Sequence, residues 1–106
     1  MERFDLKDFT GGWFVGDFDP TIVKTDAFEV AVKSYPAGAK EKKHYHKIAT
    51  ELTLITNGRV KMNGNEFGSG SIIRIEPGEA TDFEALTDVT TVVVKVPSAK
   101  NDKFIV

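Results

Sequence analysis

The sequence contains no cysteine. This excludes disulfide bridges, thiolate catalysis and iron–sulfur ligation, and it fits a reducing compartment, so the protein is expected in the cytoplasm. No apolar run approaches the roughly 20 residues of a membrane span. Residues 1–5 carry too much charge for a signal peptide. The net charge of −2 argues against a general nucleic-acid binder, which is normally strongly basic. Nucleic acids and membranes are therefore not expected as partners.

Several catalytic and architectural signals are also missing. No segment shows sustained helical periodicity, and there are no repeats or internal linkers. A Gly-x-Ser-x-Gly elbow and a phosphate-binding glycine loop are both absent. The glutamates at positions 76, 79 and 84 are better interpreted as surface residues around a turn than as an acid/base pair. The 106 residues, 41% apolar and 28% charged, predict one ordinary globular domain.

Short β-strands separated by turn signals dominate the chain. The Asn-Gly pairs at 57–58 and 63–64 each predict a hairpin, with an alternating strand over 59–62 between them. Phe28, Val30 and Val32 share one face of an earlier strand. The valine- and threonine-rich run 90–96 is typical of a strand buried on both faces. Turn signals about 8–12 residues apart predict an all-β sandwich or barrel.

One pattern carries specific chemistry, and it consists of Gly38, His44, His46, Glu51 and Gly58. Two histidines one residue apart point to nearly opposite sides of a helix, but on a strand they share a face about 6.6–6.8 Å apart. Two imidazole nitrogens can then converge on one metal ion at about 2.0–2.1 Å each. A carboxylate from the next strand would complete a two-histidine, one-carboxylate site with open positions.

This pattern resembles the first sequence motif of the cupin family and matches it at every fixed position. The resemblance implies a double-stranded β-helix, a jelly-roll-like barrel, whose metal is held by His44, His46 and Glu51. It implies a single cupin domain over residues 1–106, with a barrel core over about 27–97 and an N-terminal strand segment over 1–26. The implied cofactor is a divalent transition metal, Fe, Mn, Zn or Ni.

The second cupin motif is only partly present. Gly70 and Gly78 match it, whereas Glu76 stands where the family has a proline, Thr81 where it has a histidine ligand and Ala85 where it has an asparagine. Together the two motifs span 38–85, close to half of the chain.

Two residues compete for the position of the missing histidine ligand. A neutral threonine hydroxyl binds divalent metals weakly, so Thr81 leaves a position open to water or substrate. Asp82 is a better type of ligand, but it points away if Thr81 points inward, unless a bulge shifts the strand.

Three further segments have two interpretations each. The lysine-rich stretch 40–47 is better interpreted as a solvated edge strand than as a positive rim that attracts anions. The resemblance and the small core favour a homodimer. The aromatic segment 9–18 either contributes to its interface or closes one end of the barrel, and the sequence favours neither role. The apolar tail 104–106 either docks or frays.

Two functions stay open from the sequence. The first is a metal-dependent enzyme with a small organic substrate beside the metal, where the family offers dioxygenation, decarboxylation and sugar isomerisation. The second is a non-catalytic barrel, with or without metal, that binds a small molecule or a carbohydrate.

Overall fold

A computed structural model describes residues 1–106, and the chain is almost entirely β-structure, as predicted. Apart from two short 3-10 helices, Leu6–Asp8 and Thr10–Gly12, every regular element is a strand. The eleven strands are β1 (Trp13–Gly16), β2 (Val23–Lys24), β3 (Glu29–Tyr35), β4 (Lys40–Tyr45), β5 (Thr50–Asn57), β6 (Arg59–Met62), β7 (Asn65–Gly68), β8 (Ile72–Ile75), β9 (Thr81–Ala85), β10 (Val89–Val96) and β11 (Phe104–Ile105). No helical segment has the length and apolar character needed to cross a bilayer.

The strands form two sheets, which confirms the predicted double-stranded β-helix. One sheet has the order β2-β1-β3-β10-β5-β8 and the other has the order β11-β4-β9-β6-β7. The chain switches sheets repeatedly, since β3, β5, β8 and β10 lie in the first sheet and β4, β6, β7 and β9 in the second. The N-terminal strands extend the first sheet, and the C-terminal β11 extends the second by pairing with β4.

The hydrophobic core occupies one end of the space between the sheets. It consists of Ile55, Val60, Met62, Ile75, Phe83, Ala85 and Val89. Inward side chains along β5 change from Glu51 and Thr53 to the fully buried Ile55. Their partners on β10 change in parallel from Lys95 to Val93 and Thr91. One end of the barrel is therefore packed with mostly apolar side chains, whereas the other end carries polar and charged ones.

Only one of the two predicted hairpins is present. Asn63 and Gly64 both have positive φ and join β6 to β7, as a two-residue hairpin loop requires. The hairpin predicted at 57–58 is wrong, because the chain there passes from β5 in one sheet to β6 in the other. Gly58 has a φ of 94°, and a Cβ at this position would lie 2.2 Å from the Asp88 carbonyl oxygen. The glycine is required by this close crossing.

The apolar faces of two strands lie on the opposite side from the cavity. On β3 the residues Val30 and Val32 face outward and stay half-exposed, whereas Ala31 and Lys33 face the interior. Strand β10 is buried on one face only in the single chain, so the prediction that it is buried on both faces is wrong. The outer surface of the larger sheet is consequently apolar.

The C-terminal tail docks on the barrel. Phe104 is in register with Tyr45 on β4, and their rings stack with centroids 5.4 Å apart. The docked tail also brings Lys103 to the mouth of the barrel cavity.

Candidate metal and ligand site

A cavity of about 140 Å³ lies between the two sheets at the polar end of the barrel. It receives side chains from both sheets, from β1 and from the C-terminal tail. The lining residues that matter for its chemistry are Trp13, Lys33, His44, Glu51, Thr81 and Lys95. The space is large enough for several waters or a small organic molecule.

A β-bulge on β4 places His44 on the inner side of the barrel. Glu41 pairs with Phe83 and His44 with Thr81, so three steps along β4 match two steps along β9. The extra residue reverses the inside–outside alternation, and Glu41 and His44 therefore both line the cavity. A regular strand would have pointed these two side chains to opposite faces.

His44 has a tautomer that leaves Nε2 available as a metal ligand. Its Nδ1 lies 2.9 Å from the carbonyl oxygen of Lys42, so this nitrogen carries the proton and donates it. The assignment leaves the lone pair on Nε2. Metal-binding histidines commonly fix their orientation through this kind of hydrogen bond to a backbone carbonyl.

His46 lies next to His44 and is nearly inaccessible, with 4% of its surface exposed. The two rings are 5.4 Å apart between centroids and nearly perpendicular. Nε2 of His46 is buried and has no hydrogen-bond partner. Burial, together with the positive charge of Lys95 and the neighbouring His44, lowers the pKa of His46 to about 4. The imidazole is therefore neutral at physiological pH, with a polar atom left unsatisfied.

The loop after β4 is fixed by contacts from distant parts of the chain. The Gly78 amide donates to the His46 carbonyl oxygen at 2.7 Å. The Asp102 carboxylate accepts hydrogen bonds from the amides of Lys47 at 2.8 Å, Ile48 at 3.1 Å and Ala49 at 2.9 Å. Burial alone would raise the pKa of Asp102, but these bonds together outweigh it and hold the pKa below its usual value. The C-terminal tail therefore holds the backbone beside His46.

The other predicted ligand positions divide between the cavity and the outer surface. Glu51 lines the cavity from the opposite sheet, and its Oε2 accepts a hydrogen bond from the Thr53 hydroxyl at 2.9 Å. Thr81 is buried and also lines the cavity, in register with His44. Asp82 is exposed on the other face of β9, where it accepts a hydrogen bond from the Asn63 amide at 2.7 Å.

The predicted three-residue ligand set is only partly assembled. The structure brings His44 and His46 together and places Glu51 on the wall of the cavity that His44 also lines. No three His, Asp or Glu side chains come close enough to share one ion. The histidine pair fits a metal, since one ring has a fixed ligand tautomer and the other has a buried nitrogen without a partner. The carboxylate of Glu51 accepts a hydrogen bond from Thr53 instead.

Several cavity residues were not identified from the sequence: Trp13, Lys33, Glu41, Lys95 and Lys103. Trp13 lines the cavity, so at this residue the aromatic segment closes the barrel. The lysines of the 40–47 stretch are exposed, as predicted, but β4 is not the predicted edge strand, because β11 pairs with its outer side. The cavity uses other lysines. The sequence contains one indication of this cavity. Lys95 stands in the valine-rich run 91–96, and a lysine is rarely buried in a strand unless its charge has a partner.

Comparison with solved structures gives the class of fold. An uncharacterised protein from Klebsiella pneumoniae with a double-stranded β-helix domain is 18% identical, with a TM-score of 0.70 over 79% of this chain and 74% of that one. A cupin 2 conserved barrel protein from Salinispora arenicola is 19% identical, with a TM-score of 0.59 over 68% of this chain and 65% of that one. The protein therefore has the cupin fold.

A third similar structure comes from a metalloprotein. Oxalate decarboxylase from Bacillus subtilis, described with Mn(II) centres, is 18% identical with a TM-score of 0.65. The match covers 77% of this chain but only 25% of that enzyme, so the likeness concerns one barrel of a longer protein. No protein-family profile matches the sequence, and no curated protein matches it as a relative.

Proposed function

We propose that this protein binds one divalent transition metal through His44, His46 and Glu51, with a small organic ligand beside it in the cavity. The observation that supports this most directly is the buried Nε2 of His46, which has no partner and lies beside a second imidazole. A buried polar atom without a partner is costly, and a metal ion would satisfy it.

Each residue of the proposed site has a distinct part. His44 presents Nε2 because its Nδ1 is bonded to the Lys42 carbonyl, and His46 is fixed by the loop that Asp102 holds. Glu51 supplies the negative charge of the ligand set, and for this its carboxylate gives up the hydrogen bond from Thr53 and binds the ion. Thr81 leaves one position free for an exchangeable ligand. A bound metal would act as a Lewis acid on an oxygen of that ligand.

A second candidate function is a metal-free binding module. It is favoured by the separation of Glu51 from the histidines, since no three ligand side chains are gathered. In such a protein the cavity would hold the small molecule by its polar lining alone. The cytoplasmic location remains a prediction for either function.

Elemental analysis of protein purified without a histidine tag distinguishes the two candidates. About one Fe, Mn, Zn or Ni per chain is expected if the metal-binding proposal is correct. Protein that carries no metal, and takes up none when incubated with each of these ions, would instead support the metal-free module. Turnover in a substrate panel then decides whether a metal-loaded protein is an enzyme.

Replacing Thr81 with histidine is expected to raise metal affinity about tenfold or more, equivalent to about 1.4 kcal/mol. Thr81 is buried, faces the cavity and stands in register with His44, so a histidine at this position could reach the same ion. Zn(II) or Mn(II) affinity is measured by calorimetry for wild type, Thr81→His and Asp82→Ala.

The two variants separate the possible ligand positions. An imidazole at position 81 would replace an exchangeable water, and any catalysis that needs this position should fall. Asp82→Ala is the control and should leave affinity unchanged, because Asp82 lies on the outer face. No gain in Thr81→His together with a loss in Asp82→Ala would show that Asp82 is the ligand.

We also propose that two copies associate through the outer face of the larger sheet. This face carries apolar side chains from four neighbouring strands, including Val30, Val32, Leu52, Leu54, Ile72 and Val94. Leu52 is 37% and Ile72 is 66% exposed in the single chain. Arg74 on β8 stands beside Leu52, and β8 is the edge strand of the sheet, so this charge lies at the margin of the face. A contiguous apolar surface of this kind is typical of a homodimer interface.

Light scattering at micromolar concentration is expected to give twice the chain mass of 11.7 kDa. Val94→Lys, near the centre of this face, should give the monomer mass because a buried lysine charge opposes association. Ile48→Lys serves as the control, since Ile48 is 58% exposed but lies in the loop before β5. A wild-type protein with the monomer mass would contradict the dimer.

A further inference from the structure

Three lysines from three different parts of the chain line the cavity. Lys33 comes from β3, Lys95 from β10 and Lys103 from the tail before β11, and together they form the lysine cluster. Lys33 and Lys95 are half-buried, whereas Lys103 is exposed at the rim. Since β3 and β10 are hydrogen-bonded neighbours, their inward-facing lysines stand on adjacent strands of one wall.

None of these ammonium groups forms an ion pair within the chain. The six ion pairs of the structure involve other residues. Lys33 donates one hydrogen bond, to the Gly11 carbonyl oxygen at 3.1 Å, and it lies 5.3 Å from the Trp13 ring. The Lys95 ammonium lies 5.0 Å from the same ring and makes no hydrogen bond. The cavity therefore presents cations with unused donors.

The carboxylates of the cavity are already hydrogen-bonded elsewhere. The Tyr35 hydroxyl donates to Glu41 at 2.7 Å, and the Thr53 hydroxyl donates to Glu51 at 2.9 Å. Three lysines thus face two carboxylates that do not approach them within salt-bridge distance. Burial, with the neighbouring charges of Lys95 and Lys103, lowers the pKa of Lys33 despite the opposing effect of Glu41. Glu29, in register with Lys95 on β3, is a further carboxylate nearby, but it forms no ion pair with any of the three lysines either. An anion that enters the cavity would therefore meet ammonium groups without a paired carboxylate.

The rest of the lining favours an organic anion over an inorganic one. Met62, Phe83 and Val93 form an apolar part of the wall, and Trp13 lies beside the lysines. A carbon skeleton can cover these surfaces, whereas phosphate or sulfate would leave them against water. No glycine-rich loop or long helix N-terminus is present to supply the backbone amides that phosphate sites commonly use.

We propose that the cavity binds a small organic carboxylate, whose anionic group pairs with Lys95, Lys103 and Lys33 while its carbon portion lies against the apolar wall. This names the chemical class of the ligand in the proposed function and rests on it only for the location of the site. The lysine cluster requires no metal, so the two ideas can fail separately.

Binding is tested on chelator-treated protein and on protein loaded with Zn(II), by calorimetry at low ionic strength. The probes are acetate, malonate and succinate, with their neutral amides and inorganic phosphate as comparisons. At least one carboxylate should bind both forms of the protein and weaken as salt increases, whereas its amide should not bind. Failure of all three carboxylates, equal binding of an amide or stronger binding of phosphate would overturn the proposal.

Single substitutions test whether the carboxylate binds at the lysine cluster. Lys95→Gln and Lys103→Gln should each weaken carboxylate binding about tenfold or more. Lys61→Gln, an exposed lysine on β6 that lies outside the cavity, is the control and should bind like wild type. Both cluster variants should keep their metal, and Lys103→Gln should keep the fold because its side chain is at the rim. Unchanged affinity in both cluster variants, or an equal loss in the control, would place the anion elsewhere.

Discussion

Replacing His46 with alanine is expected to reduce metal affinity by roughly a hundredfold or more, because the proposed site would lose one of its three protein ligands. The structure gives His46 no other polar function, since its Nε2 has no partner in the chain. The barrel should stay folded, because its hydrophobic core is formed by other side chains, including Ile55, Val60 and Val89. Metal content by elemental analysis and affinity by calorimetry measure the effect.

Two further variants make this result specific. His46→Gln keeps most of the buried volume and should lose affinity like the alanine, which separates ligand loss from a packing defect. Tyr45→Phe is the matched control, because Tyr45 is the neighbouring residue and its ring stacks on Phe104 away from the cavity. Unchanged metal affinity in His46→Ala would show that the site assignment is wrong.

Replacing Asp102 with alanine is expected to lower the free energy of unfolding by about 2–4 kcal/mol. The side chain is 6% exposed and accepts hydrogen bonds from three consecutive backbone amides, which would lose their acceptor. The loss is a large part of the total stability of a domain of this size. Urea unfolding measures it. Asp88→Ala is the control, because the exposed Asp88 accepts one amide hydrogen bond, from Ala37, and should cost less than about 1 kcal/mol.

The charge of Asp102 also predicts a pH dependence. Its folded pKa lies below the ordinary value of 3.8, so the unfolded chain takes up the proton first as the pH falls. The stabilisation by the carboxylate is therefore fully present above 3.8 and is lost as the pH falls through the folded pKa. Asp102→Asn, which keeps one acceptor oxygen but no charge, should lie closest to wild type in stability at low pH. If the difference in unfolding free energy between wild type and Asp102→Asn stays constant from neutral to acidic pH, this explanation is wrong.

The local chemistry of the site could be predicted from the sequence, because it depends on spacing along one strand. The pair His44 and His46 is defined by neighbouring residues, and the structure places the two rings side by side. The inward direction of Thr81 follows from strand alternation once the cupin register is assumed. The bulge in β4 could not be predicted, since nothing in a run of lysines shows which residue is unpaired.

The polar side of the cavity depends on residues far apart in the sequence. Lys33, Lys95 and Lys103 meet only because β3 pairs with β10 and the tail docks on β4. Asp102 reaches the loop after His46 by the same docking, across more than fifty residues. Single-strand patterns contain no information on such contacts.

The amino-acid sequence by itself determined the β class, the hairpin at Asn63-Gly64 and the identity of the histidine pair, since each depends on residues close together in the chain. The tertiary structure alone decided which face of each strand is inside. On β3, alternation predicts that Val30 and Val32 share a face, but it assigns that face to neither the core nor the surface. The packing of the two sheets turns these valines outward and Lys33 inward, because at this end the barrel encloses a polar cavity.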